Sequence, residues 1–186
     1  MNREQWLTEV ALQAQRLFVG FAVAPYRVTC GWPCKNATGA SGRRVGECHA
    51  QEASKGKVHE IFISPLLDDP AEVAGVLTHE MAHVVAGIKA GHGKEFLRVA
   101  HHVGLTKGRP RSIGPGEQLE GQLRKITSKL GPYPHQALLL YPREKKEPST
   151  VILQCACGCK VTMGKKWLDE PGLPTCACGL AFREVE

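Results

Sequence analysis

Val73-Ala74-Gly75-Val76-Leu77-Thr78-His79-Glu80-Met81-Ala82-His83-Val84-Val85, preceded by Asp69-Pro70-Ala71-Glu72, decides how the rest of this chain is read. Asp69 is an N-cap acceptor, Pro70 suits a first helical position, and Glu72 occupies the capping-box position, so a helix is expected to start here. Val73, Val76, Leu77, Met81, Val84, Val85 and Ile88 recur at intervals of three, four and one, which buries much of its circumference. Two histidines in so apolar an element need a purpose. Residues four apart lie about 40° from each other around a helix, so His79 and His83 project from one face and can close on one ion. Glu80, about 100° further round than His79, can reach a water on that ion rather than the ion itself. The plainer reading, two hydrogen-bonded core histidines, is outweighed by the paired spacing with Glu80.

The third ligand decides the class of site. Gly91-His92-Gly93 follows the helix, and its two glycines let the backbone approach closely, so His92 can return to the open side of the ion. Three nitrogens and a water are the open coordination of a catalytic zinc. In metzincins a glycine stands three positions after the second histidine and the third histidine follows sooner; here that position is Ala86 and eight residues intervene before His92. In gluzincins a later glutamate is the ligand, and Glu95, Glu117 and Glu120 are the candidates, less favoured than His92. His101 and His102 read as surface or packing residues.

His79-Glu80-Met81-Ala82-His83 with Gly91-His92-Gly93-Lys94-Glu95-Phe96 resembles the SprT-like (Spartan-type) zinc metallopeptidases. Gly31-Trp32-Pro33, Ile61-Phe62-Ile63-Ser64-Pro65, Gly104-Leu105 and Leu130-Gly131-Pro132-Tyr133-Pro134-His135 resemble the bacterial and phage-encoded branch, so the likeness runs from about residue 20 to the end. It implies a zincin-like domain with His79, His83 and His92 on a catalytic zinc, Glu80 as base, and a zinc ribbon following. Eukaryotic relatives cut proteins crosslinked to DNA, which implies DNA-associated proteins as substrates here.

Composition agrees with a globular chain: 42% hydrophobic and 23% charged over 186 residues. That length accommodates one core and a small second module. No apolar run approaches the ~18 residues of a membrane span, and the N-terminus lacks a signal-peptide pattern, so a cytoplasmic protein with no membrane partner is expected. The formal charge of +6 permits contact with nucleic acid. Lys107, Arg109 and Arg111 form the compact basic cluster, and Lys165 and Lys166, beside Trp167, are a second candidate surface.

The fold class expected is α+β: a small antiparallel sheet packed with helices, including the one bearing His79 and His83, followed by the ribbon. Residues 3–18 place Trp6, Leu7, Val10, Ala11, Ala14, Leu17 and Phe18 on one helical stripe. Strands are expected at 24–30, 44–48 and 58–63, joined as a meander, with a Gly- and Pro-rich loop over 31–42. Further helices are expected from Gly93 to Val103 and from Glu117 to Leu130. The domain boundaries are 1–131 for the peptidase domain, 132–150 for a linker and 151–186 for the ribbon. Tyr133 and His135 read as packing residues, with help at an oxyanion the less favoured role.

Of eight cysteines, Cys155-Ala156-Cys157-Gly158 and Cys176-Ala177-Cys178-Gly179 form identical blocks, each aiming two thiolates at one ion. Cys155, Cys157, Cys176 and Cys178 are the expected ligands of a structural zinc, with Cys159 able to replace Cys157. Cys30, Cys34 and Cys48, with His49, have a spacing a further metal could use, but their places at strand ends favour buried thiols. Two readings of function result. The preferred one is a zinc-dependent endopeptidase with one catalytic and one structural zinc and a protein substrate; the other is a nucleic-acid-binding or regulatory zinc protein whose HExxH site is vestigial or narrowly specific. Oligomeric state is not encoded in any pattern found.

Overall fold

In the computed structural model, which describes residues 1–39, 42–140, 147–169 and 172–184, the chain begins with α1 (Arg3–Ala14). Asn2 caps it by accepting the Gln5 N–H at 2.9 Å while the Gln5 side chain accepts the Asn2 N–H at 2.8 Å. Its stripe of Trp6, Leu7, Val10, Ala11 and Ala14 is buried, and the last turn, Gln15–Leu17, tightens to a 3-10 helix.

Three strands follow, β1 (Tyr26–Cys30), β2 (Gly46–His49) and β3 (His59–Ile63), in the order β1-β3-β2. The expected antiparallel meander does not form. β1 runs parallel to β3, with Val28 opposite Ile61, and only β2 is antiparallel, with Cys48 opposite Ile61. The reason lies in β3, whose His59, Ile61 and Ile63 are all buried and which therefore takes the centre. β2, with only Gly46 fully buried, is left at the edge.

Behind that sheet lies α2 (Pro70–Ala86). The Asp69 carboxylate accepts the Glu72 N–H at 2.8 Å and Pro70 occupies the first turn. Gly87, at φ 81°, ends the helix with backbone that an L side chain rarely adopts. A 3-10 turn, Ile88–Ala90, leads to α3 (Lys94–Val103), closed by left-handed Gly104. A two-stranded ribbon of β4 (Leu105–Lys107) and β5 (Gly114–Pro115) precedes α4 (Glu117–Leu130), which buries Leu119 and Leu123. α2 touches α1, α3, α4, β2 and β3, and so forms the centre of the core.

Residues beyond α4 are held against this core. Trp6 Nε1–H donates to the Gly131 carbonyl at 3.1 Å, and the Trp6 and Tyr133 rings lie 4.8 Å apart. His135 Nε2 lies 2.9 Å from the Pro65 carbonyl, which also accepts the Leu138 N–H at 2.8 Å. Tyr133 and His135 are packing residues, as their sequence context favours.

The chain divides into two units, Met1–Leu140 and Tyr141–Glu186. The second carries β6 (Thr150–Gln154), β7 (Lys160–Gly164), α5 (Lys166–Asp169) and β8 (Arg183–Glu184), its antiparallel sheet ordered β7-β6-β8. Its core is small: Leu153, Cys155, Cys176 and Phe182, packed by Val151, Met163 and Leu168. Positions 40–41 of the expected loop and 141–146 of the expected linker lie outside the described residues. Among the described residues no helix is long and apolar enough to cross a membrane.

Candidate metal centres

α2 and the turn before α3 bring three imidazoles together. His79 Nε2 and His92 Nε2 are 3.3 Å apart, and His83 Nε2 and His92 Nε2 are 3.2 Å apart. A tetrahedral zinc with bonds of ~2.0–2.1 Å to nitrogen requires ligand edges of roughly 3.3–3.4 Å, so this spacing fits an ion at the centre. The proton inventory agrees. His79 Nδ1 lies 3.0 Å from the Ile113 carbonyl, which can only accept, so Nδ1 carries the proton and Nε2 keeps its lone pair.

Electrostatics keep all three rings in the form a metal needs. Burial holds His83 down to about 3, with the His79 and His92 rings adding to the effect. Burial also lowers His79, against the Ile113 hydrogen bond, and lowers His92, with help from His79, Arg111 and Arg44. Phe96, fully buried at the start of α3, supports the cluster: its ring stacks on His83 at 4.3 Å and lies 5.0 Å from His79 and 4.9 Å from His92.

Glu80 is buried beside the triad and pushed up to about 8, chiefly by burial, with Glu47 adding and Arg44 opposing. The Cys48 backbone N–H also opposes that rise by bonding to the carboxylate. β2 makes room for this side chain at Gly46, where an added Cβ would stand 2.6 Å from Glu80 Oε1. A buried carboxyl with a proton affinity near neutrality is suited to taking and returning a proton.

Two adjoining cavities open here, of about 730 Å3 and about 490 Å3. Both are bordered by Arg43, Arg44, Gly46, His79, Glu80 and Arg111, and the larger also by His83 and His92. Of the expected basic cluster, only Arg111 borders them. Lys107 pairs with Glu120 at 3.4 Å, and Arg109 is exposed. The alternative glutamate ligands lie outside the His79, His83 and His92 group: Glu95 pairs with Arg98 at 3.2 Å, Glu120, at the border of the smaller cavity, pairs with Arg124 at 2.9 Å, and Glu117 is exposed in the first turn of α4. His101 and His102 are exposed on α3, with the His102 ring edge-on to Phe21.

In the second unit, sulfurs of Cys155, Cys157, Cys176 and Cys178 all lie within 4.8 Å of one another. Cys155 and Cys178 are 3.4 Å apart, and Cys157 and Cys176 are 3.6 Å apart, near the roughly 3.8 Å edge that Zn–S bonds of ~2.3 Å give a tetrahedron. The identical blocks fold identically. The Gly158 N–H donates to Cys155 O and the Cys155 N–H to Cys159 O, while the Gly179 N–H donates to Cys176 O and the Cys176 N–H to Leu180 O. Both glycines sit at positive φ, 90° and 86°, which is what their places in the turns require. Cys159 lies next to Cys157 and Cys176 but outside the four-sulfur group. Lys165 pairs with Glu147 at 3.4 Å, and Lys166 lies over the Trp167 ring at 4.8 Å.

Three contributors have no signal of their own in the sequence. The Ile113 carbonyl is thirty-four residues from the histidine it orients, Gly46 looks like any strand glycine, and the Cys48 amide is backbone. Phe96 stood in a recognisable motif without its role being visible. A model of the SprT-like family matches residues 27–114, a span that contains the triad, Glu80, β2 and Ile113. No curated protein and no solved structure matches the chain.

Proposed function

We propose, from the membership of residues 27–114 in the SprT-like family, that this protein is a zinc-dependent metallopeptidase. His79, His83 and His92 hold the catalytic ion, Glu80 is the general base, and the second unit is a zinc ribbon closed by Cys155, Cys157, Cys176 and Cys178. The observation that supports the reading best is the 3.2–3.3 Å spacing of the three Nε2 atoms, with Glu80 adjacent in sequence to the first of them. A bound Zn2+ supplies Lewis acidity toward a peptide carbonyl and brings the pKa of water toward neutrality.

The chain's own residues do the rest. Glu80 takes a proton from the attacking water and returns it to the departing amine, a cycle that its raised proton affinity suits. The Cys48 N–H holds the carboxylate during that cycle, and Gly46 leaves the space in which it turns. Ile113 O keeps His79 in the ligating tautomer, and Phe96 keeps the rings from rotating out of register. Proteins associated with DNA are the substrate class we favour, supported by the net charge of +6 and by Arg43, Arg44 and Arg111 around the cavities.

The experiment incubates wild type and Glu80→Gln with a DNA-binding protein, with and without single-stranded and duplex DNA, and measures zinc on the same samples. Glu80→Gln is expected to keep its zinc and lose cleavage by about 10²- to 10⁴-fold. Undiminished cleavage by that variant would overturn the assignment. Cleavage by wild type that is indifferent to DNA would remove the DNA-associated substrate class and leave the peptidase.

A further inference from the structure

Outside the two centres above, one further set of ligand-type side chains converges among the described residues, on the edge of β2. Glu47 and His49 alternate with Cys48 along the strand, so they leave it on the face away from the one on which Cys48 meets Glu80, while both border the larger cavity with His83 and His92. There they meet Cys34 from the loop after β1. Cys34 Sγ lies 3.7 Å from His49 Nε2, and His49 Nε2 lies 3.4 Å from Glu47 Oε2. A tetrahedral zinc with one sulfur, one nitrogen and one oxygen ligand requires edges of roughly 3.5 Å for S···N and 3.4 Å for N···O.

The surrounding contacts hold the three donors in place. The Cys34 N–H donates to Glu47 Oε2 at 2.5 Å, which fixes the thiol next to the carboxylate. That oxygen has a second lone pair free for a cation. Arg44 takes the other carboxylate oxygen, Oε1. The His49 ring stands edge-on to Phe62 at 5.4 Å, and its carbonyl meets His59 Nδ1 at 3.0 Å, so strand and ring are both tied down. The other two cysteines of the first unit are not candidates. Cys30 is buried beside Tyr133, and Cys48 faces Glu80.

We propose that Cys34, Glu47 and His49 bind a divalent cation of the zinc class, separate from the ion of the His79 triad, and that this ion pins the loop after β1 to the strand bordering the catalytic cavity. Three donors of mixed sulfur, nitrogen and oxygen type suit a borderline-soft metal and leave a fourth position for water. The loop so anchored leads to Arg43 and Arg44, which border both cavities. The ion therefore acts on the shape of the cavity wall.

The full-length protein is stripped of metal with a chelator, titrated with Zn2+, and treated at each step with an alkylating agent, the modified cysteines being read by mass spectrometry. Cys34 is exposed, and at a pH alkaline enough to ionise a thiol that the Glu47 carboxylate pushes up it should label without metal, then slow at least about tenfold when zinc engages its sulfur. Cys30, buried, serves as an internal control. His49→Ala should bind one equivalent of zinc fewer than wild type and leave Cys34 reactive in zinc. A His83→Ala, His92→Ala variant should also lose one equivalent yet keep Cys34 protected, which separates this site from the catalytic one. Labelling of Cys34 that ignores zinc, protection that needs a large excess of it, or a zinc count unchanged by His49→Ala would each overturn the proposal.

Discussion

Gly46 on β2 and Glu80 on α2 are in such close contact that a single methyl group does not fit between them: a Cβ on Gly46 would stand 2.6 Å from Glu80 Oε1 and equally close to Val76 Cγ1. The glycine is there for the carboxylate. Gly46→Ala is expected to turn Glu80 away from the Cys48 amide while leaving the three imidazoles in place. A displacement of about 1 Å in a reacting group costs on the order of 10²-fold in rate. Zinc content should be unchanged and kcat should fall by about that factor, as measured by peptide cleavage and metal analysis on one sample. A fall in zinc content parallel to the loss of rate would refute this division of roles.

Phe96 packs against the three imidazoles. Its ring is fully buried and stacked 4.3 Å from that of His83. Truncation to Ala removes a large core side chain, costing about 3–5 kcal/mol of stability, and frees the imidazoles to rotate. Supporting groups around a metal ligand are worth about 10- to 100-fold in affinity. Phe96→Leu, which keeps most of the volume but not the flat face, should fold well and still bind zinc more weakly. Chelator competition on that variant checks it, and wild-type affinity would show that Phe96 serves stability alone.

How much of this was legible follows from where each signal resides. The start of α2 at Asp69, the stop of α3 at Gly104 and the extent of α4 were readable because caps and apolar periodicity are local. The convergence of His79 with His83 was readable for the same reason, since the helix itself imposes it. The parallel pairing of β1 with β3 was not, because strand order depends on which strand is hydrogen-bonded along both edges, a property of the whole sheet. The meander expected from chain order failed there. The carbonyl of Ile113 that orients His79 is invisible for a deeper reason: every residue has a carbonyl, and only the fold chooses which one is used.

Glu120 allows a test by pH. Arg124, and then Lys107, donate to its carboxylate and hold its pKa below the ordinary value. A carboxyl depressed in the folded state stabilises above its unfolded pKa and loses that contribution as pH falls through the lower folded value. All three side chains are exposed enough to solvent that little stability is involved. The direct readout is the NMR titration of the Glu120 carboxyl, expected below the ordinary glutamate value of about 4.3 and returned toward it by Arg124→Gln. A midpoint unmoved by that substitution would show the pair to be absent in solution. The pairing also takes Lys107 out of the basic cluster, so Lys107→Gln should weaken any DNA binding less than Arg111→Gln does.

Metal removal should act unequally on the two units. The first has an extended core built around Trp6, Leu77, Met81 and Phe96, whereas the second, among its described residues, buries little beyond Leu153, Phe182 and two of its own cysteines. A module of this size without its ion lacks the apolar burial to stay folded. A strong chelator should therefore collapse the amide dispersion of residues 147–184 in an NMR spectrum of the whole chain while residues 1–140 keep theirs. Cys157→Ser should give the same selective collapse, because its sulfur is one of the four in mutual contact. Cys159→Ser should not, since that sulfur lies outside the group even though it neighbours Cys157. The reverse pattern, collapse in Cys159→Ser and not in Cys157→Ser, would exchange the two residues as ligands, and a second unit that keeps its dispersion in chelator would remove the structural zinc altogether.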